Sequence, residues 1–137
     1  MKRNPELLVL SREHYRALKL ALDAKKAGEK AAPEEMAAVA AFLVEAAAKD
    51  LEPHFRVEEA HLLPAMGAAG CHELVARTLE EHRLLREAVV ALAAPTPAVL
   101  LHFAELLQAH VRFEERELFQ AAQEQLDPAA LAVLLKH

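Results

Sequence analysis

Four histidines and two glutamates have the spacing of metal ligands: His14, His54, Glu58, His82, His110 and Glu114. His54 and Glu58 are four residues apart, as are His110 and Glu114. Side chains at i and i+4 are neighbours on one face of an α-helix. Each pair can therefore present an imidazole nitrogen and a carboxylate oxygen to one point. Nitrogen and oxygen donors of this kind suit iron, manganese and zinc alike. An internal repeat strengthens the pattern. The stretch His54-Phe-Arg-Val-Glu58-Glu59-Ala-His-Leu-Leu-Pro-Ala aligns without gaps on His110-Val-Arg-Phe-Glu114-Glu115-Arg-Glu-Leu-Phe-Gln-Ala, and Glu13-His14 matches Glu81-His82. The chain reads as two helical hairpins, each giving one lone histidine and one HxxxE pair. A two-metal site bridged by two carboxylates would have that symmetry.

The elements that must position these residues are helices. Ala, Leu, Glu and Arg dominate, and three Gly and seven Pro in 137 residues leave few breakers. Asn4-Pro5 suits the cap and first turn of a helix running to about Gly28. A second helix starts near Pro33, with Glu34 and Glu35 at the positive end of its dipole, and stops at Pro64. Pro53 should kink or divide it. A third runs from about His72 to Ala93, ended by Pro95-Thr96-Pro97. A fourth runs from about Pro97 to Gln125, and Asp127-Pro128 opens a short terminal helix. The expected fold is all-α: an antiparallel up-down four-helix bundle with a short C-terminal helix, one domain over residues 1–137.

The apolar seams lead into the polar residues. Leu7, Leu10, Ala17 and Ala21 line the first helix around His14, and Met36, Ala40, Leu43 and Ala47 continue to His54, Glu58 and His61. Val75, Leu79 and Val89 accompany His82; Leu100, Phe103, Leu107 and Ala121 accompany His110 and Glu114. An unpaired amide or hydroxyl in an apolar site costs roughly 2–7 kcal/mol, and an isolated carboxylate far more. A domain with about 5–15 kcal/mol of net stability could not sustain four imidazoles and two carboxylates there. A bound cation turns them into ligands. One joint fits poorly: fourteen residues separate His14 from Gly28, against twenty-one from Pro33 to His54. At about 1.5 Å per residue this is a ~10 Å mismatch. Either the first helix overruns Gly28, or the loop and the Pro53 kink absorb it.

The pattern His14, His54-x-x-x-Glu58, His82, His110-x-x-x-Glu114 resembles the hemerythrin-like (HHE cation-binding) domains over essentially the whole chain. Glu52-Pro53-His54-Phe55-Arg56-Val57-Glu58-Glu59 with Leu62-Leu63-Pro64, and Glu114-Glu115 with Leu118-Phe119, carry the same likeness. The resemblance implies two metal ions, iron in the first instance with zinc or manganese as alternatives. They would be bridged by the carboxylates and an oxo or hydroxo group, with an open position for dioxygen, nitric oxide or peroxide. It implies a small-ligand binding, sensing or iron-handling protein. Alternatives are a di-iron redox enzyme (peroxide or nitric oxide reduction, iron–sulfur cluster repair) and a structural zinc or mixed-metal bundle. Two departures count against reversible oxygen carriage. Arg86 stands where the oxygen carriers have a further histidine, and the last helix has HxxxE rather than HxxxxD. His61, three residues after Glu58, is a further candidate ligand.

Other residues read more plainly. Glu59 and Glu115 turn about 100° from the ligand stripe, towards solvent or a supporting role. His72, His102, His137 and Tyr15 read as surface residues, and Cys71 as a loop thiol. A net charge of −5 with no basic block argues against nucleic acid as a partner. One cysteine cannot form an internal disulfide, Met1 to Pro5 lacks the apolar run of a signal peptide, and no apolar stretch reaches eighteen residues. The expectation is a cytoplasmic protein without membrane contact.

Overall fold

Asn4 opens the first helix as its sequence suggests: its side-chain oxygen accepts from the Glu6 N–H at 2.9 Å, ahead of Pro5. In the computed structural model, which describes residues 3–134, this helix, α1, is Pro5–Lys30. It overruns Gly28 by two residues and closes on Ala31, which adopts the left-handed conformation at φ 57°. α2 spans residues 33–68, α3 is His72–Ala91, α4 spans residues 97–125 and α5 is Pro128–Leu134. Caps again set the boundaries. Thr96 Oγ1 accepts from the Val99 N–H before Pro97, and Asp127 Oδ1 accepts from the Ala129 N–H. α3 ends at Ala91, two residues before the expected Ala93. No strand occurs among the described residues, and α1 to α4 form an antiparallel up-down bundle in which each packs on the next and α4 packs back along α1. His137 lies outside the described residues.

Two prolines expected to interrupt α2 do not. α2 combines α-helical stretches Pro33–Ala46, Glu52–Val57 and Leu63–Ala68 with two π-turns, Ala47–Leu51 and Glu58–Leu62. Pro53 and Pro64 each sit second in the α-stretch that follows a π-turn. There the preceding residue reaches five back, Glu52 N–H to the Ala47 carbonyl and Leu63 N–H to the Glu58 carbonyl. The wider turn supplies the room that a proline ring lacks against the carbonyl four residues before it. The expected stop at Pro64 is therefore wrong, and α2 continues to Ala68. α4 carries a third π-turn, Glu114–Leu118, closed by Phe119 N–H to the Glu114 carbonyl. Both HxxxE pairs thus end on a glutamate that begins a π-turn, so the sequence repeat is also a backbone repeat. The overrun of α1 and the inserted residue at Ala47–Leu51 each reduce the mismatch of the first hairpin.

The core is two apolar clusters with a polar layer between them. One, around Leu20, Leu43, Leu85, Phe103 and Leu107, fills the end towards the Ala31–Ala32 and Leu92–Thr96 loops. The other, around Leu7, Leu62, Met66, Phe113 and Phe119, fills the opposite end, where α5 seals it with Leu131. The expected seams of α1, α2 and α4 are buried, apart from half-buried Ala121. On α3 the seam is one residue out of phase. Leu79 is 45 % exposed, and the inward stripe runs through Thr78, His82, Leu85 and Ala88. Thr78 tolerates this because its hydroxyl donates to the Leu74 carbonyl at 2.7 Å.

Gly28 marks a close approach of α1 to the start of α4. A Cβ there would stand 2.9 Å from Leu101 Cγ and 3.2 Å from the Pro97 carbonyl oxygen, whereas one at Gly67 would meet nothing within 4 Å. Gly28→Val should lower the melting temperature by several degrees, since overpacking costs typically ~1–3 kcal/mol. Gly67→Ala should raise or preserve it, by up to about 1 kcal/mol of helix propensity. Thermal unfolding followed by circular dichroism checks both.

Candidate metal centre

The polar layer contains all six residues singled out from sequence. His14 comes from α1, His54 and Glu58 from α2, His82 from α3, His110 and Glu114 from α4, and every one is buried. Their donor atoms form two groups, His14–His54–Glu58–Glu114 and Glu58–His82–His110–Glu114, within which all lie inside 4.8 Å of one another. The two glutamates belong to both. Glu114 turns Oε1 to His14 Nε2 (2.9 Å) and His54 Nε2 (3.4 Å), and Oε2 to His110 Nε2 (3.2 Å). Glu58 turns Oε2 to His54 Nε2 (3.2 Å) and Oε1 to His82 Nε2 (3.1 Å). Each carboxylate thus offers one oxygen to each pair of imidazoles.

His61 does not join them. It is half-buried on the π-turn Glu58–Leu62 and belongs to neither group. A π-turn takes more residues per revolution, so three residues after Glu58 the chain has not come far enough round to regain the core-facing stripe. Arg86, at the position of the oxygen carriers' additional histidine, faces outward. Its guanidinium holds Glu52 (Nε to Oε1, 2.8 Å) and Glu59 (Nη1 to Oε2, 2.8 Å). Tyr15 is 77 % exposed, and His72 and His102 are also exposed. Cys71 is half-buried beside the Leu7–Phe119 cluster.

A second set of carboxylates surrounds the first, and its order is cyclic. Glu13 of α1 meets His54 Nδ1 of α2 at 2.8 Å, and Glu59 of α2 meets His82 Nδ1 of α3 at 2.7 Å. Glu81 of α3 meets His110 Nδ1 of α4 at 2.6 Å, and Glu115 of α4 meets His14 Nδ1 of α1 at 2.6 Å. A carboxylate at Nδ1 accepts the N–H there and leaves the Nε2 lone pair facing inward, the tautomer a metal requires. Further contacts hold three of these glutamates in turn: Arg86 donates to Glu59, Arg77 Nε to Glu81 at 3.0 Å, and Ser11 Oγ to Glu115 at 2.8 Å. Glu13 and Glu81 were visible in sequence only as partners in the repeat. The signals were there, a Glu before each lone histidine and a doubled Glu closing each HxxxE pair. Which histidine each would touch depends on the neighbouring helix.

The electrostatics of the chain without a cation are those of trapped protons. Burial lowers the His82 pKa, but Glu114 and Glu58 outweigh it and raise the value to about 9. Burial likewise opposes charge on His110, and Glu114, Glu81 and Glu58 raise it to about 10. His14 and His54 are also raised against their burial, by Glu114 and Glu115 and by Glu58, Glu114 and Glu13. Burial would raise Glu114, yet His110, His14 and His54 hold it well below the usual carboxylate range. Protons alone do not complete the site. Glu58 Oε2, His110 Nε2 and Glu114 Oε2 are buried without a hydrogen-bond partner. Orphaned donor atoms converging on a shared point fit a cation.

The sign of the pH dependence follows. An imidazole whose pKa is raised on folding stabilises the metal-free fold fully below its ordinary value near 6.5, and loses that contribution as pH climbs through the folded value. The melting temperature of chelator-treated protein should therefore fall as pH rises from about 6.5 towards about 9 to 10, and level off above. Metal affinity should rise over the same interval, because binding expels those protons. A metal-free melting temperature flat across this range would contradict the assignment.

Comparison with known proteins agrees with the geometry. No curated protein and no solved structure matches the chain significantly. Residues 7–122 match the family described as hemerythrin HHE cation binding domain, a span that contains all six inner residues and all four outer glutamates. With a buried His/Glu cluster built for cations and a match over most of its length, the chain belongs to the hemerythrin HHE cation-binding family.

Proposed function

We propose that this protein holds two iron ions between His14, His54, Glu58, His82, His110 and Glu114, and uses them to bind or sense dioxygen or nitric oxide or to handle iron. The observation that carries this reading is the sharing of Glu58 and Glu114 by both four-residue groups. Two imidazoles and two shared carboxylates supply four donors per ion, which leaves positions open on an ion that takes more ligands, as iron does. Such a pair would supply redox chemistry and open positions for a small ligand.

The chain's own residues fix and dry the site. Phe55 stacks on His82 with ring centres 4.0 Å apart, and Phe119 lies parallel to His14 at 5.4 Å. These rings cover one face of each of two imidazoles and hold their planes. Glu13, Glu59, Glu81 and Glu115 keep the Nδ1 protons, so that Nε2 stays available. Arg86 takes no part as a ligand; it steadies Glu59 and, through it, His82.

Anaerobic iron(II) loading followed by metal analysis should give two ions per chain, and dioxygen or nitric oxide should then change the visible absorption. Protein that takes up zinc but shows no spectral response after iron loading would overturn the redox reading in favour of a structural site. The combined Glu58→Ala and Glu114→Ala variant should lose the paired site. Retention of two ions per chain by that variant would refute the bridging role. Glu81→Gln should weaken metal affinity about 10–100-fold, the usual effect of losing a carboxylate behind a ligand histidine. Competition with a chelator measures it, and Glu81→Asp should recover part of the loss.

A further inference from the structure

Three of the four outer glutamates are themselves clamped, and the three clamps share one construction. Arg86 donates to Glu59, and its guanidinium carbon lies 5.4 Å from the centre of the Phe55 ring. That ring stacks on His82, the imidazole that Glu59 holds. Arg77 donates to Glu81 at 3.0 Å and lies 4.0 Å from the Phe113 ring. Phe113 packs against His110, the imidazole that Glu81 holds. Arg3 donates to Glu115 at 3.3 Å and lies 5.5 Å from Phe119, the ring parallel to His14, which Glu115 holds. In each case one guanidinium ties together the carboxylate and the ring that fix one imidazole, through an ion pair and a cation–π contact.

The fourth corner has no clamp. Glu13 holds His54, but no Arg or Lys among the described residues holds Glu13; Arg16, three residues on, pairs with Asp50 at 3.1 Å instead. The Glu13 side chain is 46 % exposed, against 32 % for Glu115, 25 % for Glu59 and 21 % for Glu81. The internal repeat shows what is missing. Val9 stands where the second half has Arg77, four residues before the outer glutamate, and Val57 stands where it has Phe113. Val9 is on α1 as Arg77 is on α3, and it is exposed, so the backbone leaves room for a clamp that the side chain does not make. Both corners of the His82–His110 pair are clamped. The His14–His54 pair has one clamped corner and one loose.

Resting on the metal-centre reading above, we infer that the two ion positions are unequal: the ion between His82 and His110 is retained, and the ion between His14 and His54 exchanges, leaving by way of His54. For an ion to leave, an imidazole must turn its Nε2 away, which breaks or drags its Nδ1 contact. A clamped glutamate resists that turn, because moving it also breaks an ion pair and uncovers a ring. Glu13 follows His54 into water without either penalty. Arg3, Arg77 and Arg86 are therefore positioning residues for the centre, and a form with one ion, in the His82–His110 position, is a stable state of the protein.

Protein loaded anaerobically with iron(II) to two ions per chain is mixed with a colour-forming iron(II) chelator, and release is followed by absorbance. Two phases of one ion each are expected, with rates at least about tenfold apart, the scale on which outer carboxylates act behind ligand histidines. His54→Ala should keep one ion that leaves at the slow rate, and His82→Ala one that leaves at the fast rate. Arg77→Ala and Arg86→Ala should each quicken the slow phase about two- to fivefold, as loss of a partly exposed ion pair predicts. The fast phase should not change, whereas general loosening of the bundle would quicken both. Val9→Arg, which rebuilds the missing clamp beside Glu13, should slow the fast phase by a similar factor, a gain that damage to the fold cannot mimic. Val9→Gln should not. Release of both ions in one phase, slow release from the His14–His54 position, or rates indifferent to Arg77→Ala, Arg86→Ala and Val9→Arg overturn this inference and leave the two-ion centre standing. Native protein that takes up fewer than two ions overturns the centre itself.

Discussion

Glu58 and Glu114 sit at the middle of a helical bundle with one oxygen apiece that completes no hydrogen bond, although an imidazole nitrogen stands 3.2 Å away. A buried carboxylate in that condition is among the most costly groups a small domain can carry. Much of the surrounding structure answers that demand. Four imidazoles converge on the two carboxylates, four outer glutamates hold those imidazoles, and apolar clusters above and below keep the layer dry. Leucines in the layer would remove that cost, and a cation accepted by the layer offsets it.

The backbone makes its own accommodation. An uninterrupted α-helix would return the positions three and four after each of these glutamates, His61 among them, to the inward stripe. The π-turns that begin at Glu58 and Glu114 shift the stripe, so that Leu63 and Phe119, five residues on, join Leu62 and Leu118 in the apolar cluster beyond the centre. They also dispose of a conflict that a strict α-helical geometry would create at Pro64. Register changes of this kind are local, but their consequences extend to both ends of the bundle.

The inner six residues were legible in the sequence because each depends only on positions along one helix: i and i+4 spacing, and a stripe shared with leucines and alanines. The outer four were harder to read. Glu13 touches His54, forty-one positions away, rather than its neighbour His14, and no single-helix periodicity contains that contact. Leu79 misled for the opposite reason. It is apolar and lies near the expected phase, while the true inward position, Thr78, hides its polarity in a bond to its own helix. His61 and Pro64 misled together, since both were judged on α-helical geometry in a stretch that is π-helical. Caps were read correctly at Asn4 and Asp127, where side chain and backbone lie within two residues of each other.

The outer glutamates run once around the bundle, each helix holding the histidine of the next until α4 returns to α1. Two identical hairpins meeting about a twofold axis would generate the same circuit, and both would then be bound to carry the same side chain at every position. Valine at position 111 and phenylalanine at its counterpart 55, or arginine at position 12 and glutamate at its counterpart 80, are impossible in such a pair. Joining the hairpins through the loop at Gly70 removes that obligation. One chain can then keep the symmetric part for holding ions and let the two flanks acquire different tasks.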